Sequence, residues 1–167
     1  MFTLRFSGRF YIIKAKIIGG AYSMEIMIKK LNPNATLPSR GSQYAAGYDL
    51  YACCDGDVII PPHQNVKIGT GLAIAVPEGY FGAIFARSGL AAKQSLRPAN
   101  CVGVADADYR GEYIVALHND SDKSKVVKNG DRIAQLVIMP FLAAEFIECD
   151  ELGETERGEG GFGSTGK

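Results

Sequence analysis

The sequence predicts an all-β domain, a sandwich or barrel of short strands with one short helix and a flexible C-terminal arm. Three observations carry this. The 167 residues suit one domain, and 47% of them are hydrophobic, enough for a packed core. The 20 glycines and 7 prolines recur along the chain as punctuation. Between them lie short runs rich in β-branched and aromatic residues, which is how strands separated by turns read.

Residues 1–23 stand apart. They carry Arg5, Arg9, Lys14 and Lys16 and no acid. A basic, acid-free start resembles a targeting peptide, but Lys14 and Lys16 interrupt the apolar run that a secretory signal needs. Met24 then opens a fresh segment, MEIMIKKL. The preferred reading is a non-essential extension; an organelle or nuclear address, or an extra ordered strand, are the alternatives. The domain proper is set at 24–152. Strands are expected at 57–60, 65–68, 72–76, 80–85, 113–117, 133–139 and 145–149. Alternation is visible in Val66, Ile68 and in Leu72, Ile74, Val76. Residues 90–95, after Ser88-Gly89, have helical composition for one or two turns. From 153 to 167 the chain is polar and glycine-rich, an arm by composition.

Charge and cysteines narrow the class. Lys+Arg and Asp+Glu both total 18, so the formal net charge is zero. That argues against a nucleic-acid or membrane-surface binder, but not against a small basic pocket for one anion. The four cysteines, Cys53, Cys54, Cys101 and Cys149, include no C-x-x-C pair. They read as thiols in a reducing cytoplasm.

Several segments carry chemistry. The end of the arm, GFGSTGK, formally resembles the opening of a P-loop, but no strand precedes it and no helix or Ser/Thr follows Lys167. Its glycines can still turn backbone N–H groups toward an anion. Ser164 and Thr165 add hydroxyls, and Arg157 adds a bidentate phosphate donor. Phe162, without a core to join, reads as a stacking surface for a nucleobase; a disordered tail with a stray aromatic is the alternative. Arg87 and Ser88 follow a strand and open the helix, so they form either a phosphate site or a capped surface turn. Residues 100–112, NCVGVADADYRGE, gather Asp106, Asp108, Arg110 and Glu112. Acids at i and i+2 in extended backbone share a face. One is suited to activating water and the other to pairing with Arg110; a charged turn with a local salt bridge is the alternative. Asp49 and Gln135 each lie in an apolar strand and need partners there. His63 and His118 lack metal-ligand spacing.

Five of these segments, in this order, resemble the motifs of the trimeric dUTPases: AAGYDLYA (45–52), RSGLA (87–91), GVADADYRGE (103–112), GDRIAQLV (130–137) and RGEGGFGSTG (157–166). The resemblance implies a jelly-roll-like fold and a homotrimer. Active sites would lie at subunit interfaces, each closed by an arm from another subunit. It implies hydrolysis of dUTP to dUMP and pyrophosphate with Mg²⁺, which limits uracil in DNA and supplies dUMP for thymidylate synthesis. By the same resemblance, Asp106 activates the attacking water. Tyr109 packs on the deoxyribose and excludes a 2′-hydroxyl. Asn100, with the hairpin from Gly103, reads uracil. Arg87, Ser88, Gly89 and Gln135 contact phosphates, and Asp49 stands near the metal through water. Arg157, Phe162, Gly163, Ser164 and Thr165 belong to the closing arm. Two positions depart from the pattern. Ala105 replaces a larger aliphatic residue, which is expected to loosen the hairpin or leave a small cavity. Ala86 stands where proline is common. The alternatives are a related dCTP deaminase or bifunctional deaminase–dUTPase, and a non-catalytic nucleotide-binding trimer.

Overall fold

The structure is a computed structural model. It describes residues 2–6, 9–13, 16–18, 21–100 and 102–161, with side chains from Met24 onward. The chain opens with β1 (Phe2–Phe6), β2 (Arg9–Ile13), β3 (Lys16–Ile18) and β4 (Ala21–Ser23). β1 pairs only with β2 and β3 only with β4, so these two hairpins share no sheet with the strands that follow.

The body contains β5 (Met27–Lys30), β6 (Ser39–Arg40), β7 (Tyr48–Tyr51), β8 (Val58–Ile60), β9 (Asn65–Gly69), β10 (Leu72–Ala75) and β11 (Tyr80–Phe85). The helix α1 (Ser88–Gln94) follows, then β12 (Leu96–Pro98), β13 (Gly103–Ala105), β14 (Ile114–Asn119), β15 (Lys125–Val127) and β16 (Arg132–Pro140). Five strands form the largest sheet, in the order β13-β11-β16-β7-β6. β12-β14-β9 form a second sheet, and β10-β5 and β15-β8 form two smaller ones. All described pairings are antiparallel. The all-β expectation holds, and the one helix is short.

Alternation explains how the core closes. Leu72 and Ile74 of β10 are buried, as are Val115 and Leu117 of β14, while their neighbours face outward or sit half-buried. Each fully buried Leu or Ile contributes about 2 kcal/mol over leaving it exposed. Asn119, buried on the same stripe, is satisfied. Its Nδ2 donates to the carbonyls of Ile60, Pro61 and Lys123, and its Oδ1 accepts from Ser121.

One predicted strand is absent. Residues 145–149 pair with nothing, and Phe146 and Ile147 are 96% and 82% exposed. A strand is stable only against a partner, and this segment finds none among the described residues. The last backbone tie to the body is Phe141 N–H to the Gly79 carbonyl. Residues 141–159 are exposed throughout.

Candidate functional site

Two pockets hold most of the described candidate residues. The first, of about 190 Å³, lies where β13 leaves the large sheet and is lined by Asn100, Gly103, Asp106, Tyr109 and Tyr113, among others. Gly103 pairs with Ile84 of β11. A side-chain carbon on Gly103 would stand 3.1 Å from the Ile84 Cβ and 3.2 Å from the Asn100 amide nitrogen. Glycine is therefore what lets the Asn100 amide close over this strand.

After β13 the chain turns rather than staying extended, with Tyr109 N–H donating to the Asp106 carbonyl at 3.1 Å. The expectation that Asp106 and Asp108 share an extended face is thus corrected. The expected salt bridge to Arg110 is also absent: its Nη1 donates to the carbonyls of Ala107 and Tyr109 at 2.6 and 2.8 Å. Backbone carbonyls inside a tight turn lie nearer than an exposed carboxylate, so Arg110 staples its own turn. Tyr109 folds back over Gly111, and its hydroxyl donates to the Glu112 carbonyl at 2.8 Å. Glu112 in turn accepts from Gly71 N–H at 2.7 Å, which ties the turn to the body. Asp106 is exposed and makes no ion pair among the described residues.

The second pocket, of about 520 Å³, is lined by Asp49, Arg87, Arg132 and Gln135 together with Gly47 and its neighbours. Asp49 is only 7% exposed. Arg87 Nε donates to its Oδ1 at 2.9 Å and Arg132 Nη1 to its Oδ2 at 3.3 Å. Arg87 also reaches the Arg132 carbonyl. Two guanidinium groups around one carboxylate leave a net charge of +1 for an incoming anion. Gly47 lets Gln135 approach, since a side-chain carbon there would lie 3.0 Å from its Oε1. The partners that Asp49 required are therefore arginines. Arg132 was not singled out from the sequence, although it lies in the same GDRIAQLV segment as Gln135; its signal was the need for a cation opposite Asp49. Ser88 and Gly89 are exposed at the start of α1, with Arg87 as the extended residue before it.

The pockets occupy opposite faces of one sheet. Ile84 lines the first and Phe85 the second. Adjacent strand residues point to opposite sides. Phe85, Gln135 and Asp49 stand directly opposite one another across β11, β16 and β7, forming one row on the second face. Asp106 and Tyr109 are thus not brought together with Arg87 and Gln135 within one chain. Arg157 lines neither pocket; its Nε donates to the Gly160 carbonyl at 2.7 Å in a local turn. Phe162, Gly163, Ser164 and Thr165 lie outside the described residues, as does Cys101.

His63 meets Asp122 and His118 meets Asn65, both in solvent-facing hydrogen bonds. Among the described residues no three His, Cys, Asp or Glu side chains cluster around a possible metal position. No helix among them is long and apolar enough to cross a membrane.

The dUTPase family model matches residues 33–166. A deoxyuridine 5'-triphosphate nucleotidohydrolase of Hydrogenobaculum is 48% identical over 143 residues, covering 86% of this chain and 99% of that protein. The enzyme of the same name from Arabidopsis thaliana is 50% identical over 139 residues, covering 83% and 81%. Among solved structures, a Staphylococcus bacteriophage 80alpha dUTPase with dUPNHPP superposes with a TM-score of 0.78 at 32% identity, over 86% of this chain and 99% of that one.

Proposed function

The chain belongs to the dUTPase family, and from that premise we propose that it hydrolyses dUTP to dUMP and pyrophosphate at sites assembled from several copies of itself. One observation carries the reading. A pocket with an unpaired carboxylate and a pocket with two guanidinium groups lie on opposite faces of one sheet. Each suits one part of a deoxynucleoside triphosphate, and no single substrate reaches both within one chain. A trimer brings the carboxylate pocket of one subunit against the cationic pocket of the next. The exposed run at 141–159, with Leu142 at 93% and Phe146 at 96% exposure, supports assembly, because apolar surface of this kind calls for a partner. In this reading residues 24–152 form the catalytic body and 153–167 the closing arm, while 1–23 stay outside the reaction.

The residues divide the work. The hairpin from Gly103, with the Asn100 amide beside it, offers main-chain and amide groups to the uracil edge. Tyr109, pinned over Gly111, presents its ring to the deoxyribose, where a 2′-hydroxyl would collide. Asp106 draws a proton from water, and that water attacks the α-phosphorus. Arg87, Ser88, Gly89, Gln135 and Arg132 hold the phosphate oxygens, with the arginines aligned by Asp49. Arg157, Phe162, Gly163, Ser164 and Thr165 close over base and γ-phosphate and exclude bulk water.

Mg²⁺ would be held at the second pocket through the substrate's phosphates and not by protein ligands. Both Asp49 oxygens already meet arginines, so that carboxylate suits a contact through the ion's water shell and not a direct ligand. Magnesium commonly keeps several waters and binds through substrate phosphates. When bound, it neutralises charge on the triphosphate. We place the activity in the cytoplasm, where it would limit uracil in DNA and supply dUMP for thymidylate synthesis.

A pyrophosphate-release assay with Mg²⁺ across dUTP, dTTP, dCTP and UTP tests the reading. Fast release from dUTP alone is expected. Conversion of dCTP to dUTP would favour the deaminase alternative, and binding without turnover of any substrate would favour the non-catalytic one.

A further inference from the structure

Ala105 was expected to leave a loosened hairpin or a small cavity. The residue that meets it across the fold is Tyr113. Ala105 of β13 pairs with Gly82 of β11. A carbon placed on Gly82 would lie 3.2 Å from the Tyr113 hydroxyl and 3.4 Å from the Ala105 Cβ. The phenol end and the alanine methyl therefore share the space over that glycine. Tyr113 is 2% exposed, and its ring stands 6.1 Å from that of Tyr109 at an interplanar angle of 48°. It also lines the pocket that contains Asp106 and Tyr109.

The Tyr113 hydroxyl is buried without a hydrogen-bond partner among the described residues. An unpaired buried hydroxyl costs roughly 1–3 kcal/mol. Hydrogen bonding within the protein therefore does not explain its presence; ring volume and reach do. Small residues at 82 and 105 make room for a long aromatic at 113, and that aromatic supports Tyr109 from inside the fold.

We propose that Tyr113 is a positioning residue whose ring, packed against Ala105 and Gly82, sets the plane of Tyr109 and so the rejection of ribonucleotides. The inference rests on the reading that Tyr109 faces the deoxyribose. Ala105 is then one half of a matched pair, and the loss of bulk there does not loosen the hairpin.

The test compares kcat/KM for dUTP and UTP, with melting temperatures, in the full chain and in Tyr113→Phe, Tyr113→Val, Ala105→Ile and the double variant Ala105→Ile/Tyr113→Val. Tyr113→Phe is expected to keep the dUTP/UTP ratio within about twofold and to melt no lower than the parent, because it deletes only an unpaired hydroxyl. Tyr113→Val should lower the ratio about tenfold, through faster UTP turnover and a higher KM for dUTP more than through kcat. Ala105→Ile should overpack against Tyr113 and melt lower. The double variant should recover ratio and melting temperature beyond the sum of the single changes. A folded Tyr113→Val with an unchanged ratio would overturn the proposal, as would an additive double variant. Should Tyr113→Val not fold, a double variant that folds and melts above Ala105→Ile supports the pairing, and one that fails to fold or melts no higher than Ala105→Ile overturns it. If the parent chain does not turn over dUTP at all, the functional reading fails and the positioning claim falls with it. If the parent is active and Tyr113→Val still discriminates, only the positioning claim falls.

Discussion

The pocket beside Asp106 and the pocket beside Asp49 lie back to back across one sheet, yet their charges are arranged in opposite ways. At the first, the carboxylate is exposed without an ion pair among the described residues, and the nearby Arg110 is turned onto backbone carbonyls. At the second, the carboxylate is buried and holds two guanidinium groups in place. An unpaired, solvated acid can accept a proton from water. A buried acid bonded to two guanidinium groups orients them, a role that needs no proton transfer. In the proposed reading the same residue type does two jobs, and burial with pairing decides which.

The contrast can be broken from either side. The largest effect is expected from Asp106→Asn, which should lower kcat by about a thousandfold while dUTP binding survives, read by single-turnover rates and calorimetry. Near-normal turnover would remove the base from that pocket. Truncation before Arg157 should leave the fold and assembly intact and lower kcat/KM by about a hundredfold, checked by sedimentation and steady-state kinetics. Normal hydrolysis by the truncated chain would end the closing-arm reading.

Asp49→Ala attacks the second pocket. Removing the buried partner of Arg87 and Arg132 should destabilise the fold by about 3 kcal/mol in denaturant titration and raise KM for dUTP. A loss confined to kcat, with stability unchanged, would mean that Asp49 acts directly in the chemistry. The smallest effect concerns alkaline pH. Burial, with Tyr109 nearby, pushes the Tyr113 hydroxyl from its ordinary value of 10 up to about 12. Between those values the unfolded chain releases the proton first, so the folded state binds more protons and stability falls as pH rises. Tyr113→Phe should make that alkaline loss shallower in equilibrium unfolding. An identical slope in both proteins would contradict the raised value.

The contrast also separates what was legible in the sequence from what was not. Residues 80–85 were read as a strand at their full length, because six residues of strand composition sit between clear turn signals. Asp49 and Gln135 were read as polar groups needing partners, because each interrupts an apolar run. The identity of the Asp49 partners was not legible: Arg87 lies 38 and Arg132 83 positions away, and only the strand register brings them together. β6 has two residues, too few for any pattern. Residues 145–149 have a strand's composition without a strand's partner among the described residues, so composition alone misplaced them. Ala105 could be seen as a departure, but its counterpart Tyr113 became visible only when both met over Gly82.

The central claim is that one active site takes its carboxylate pocket and its cationic pocket from different chains. Co-expressing Asp106→Asn with Arg87→Ala under different affinity tags, then purifying assemblies that carry both, tests it most directly. Each variant alone should be nearly inactive. Each mixed trimer should restore one of its three sites, about a third, by pairing an intact Asp106 from one chain with an intact Arg87 from its neighbour. Mixed assemblies as inactive as the two parents would contradict the account and place both halves of the site within a single chain.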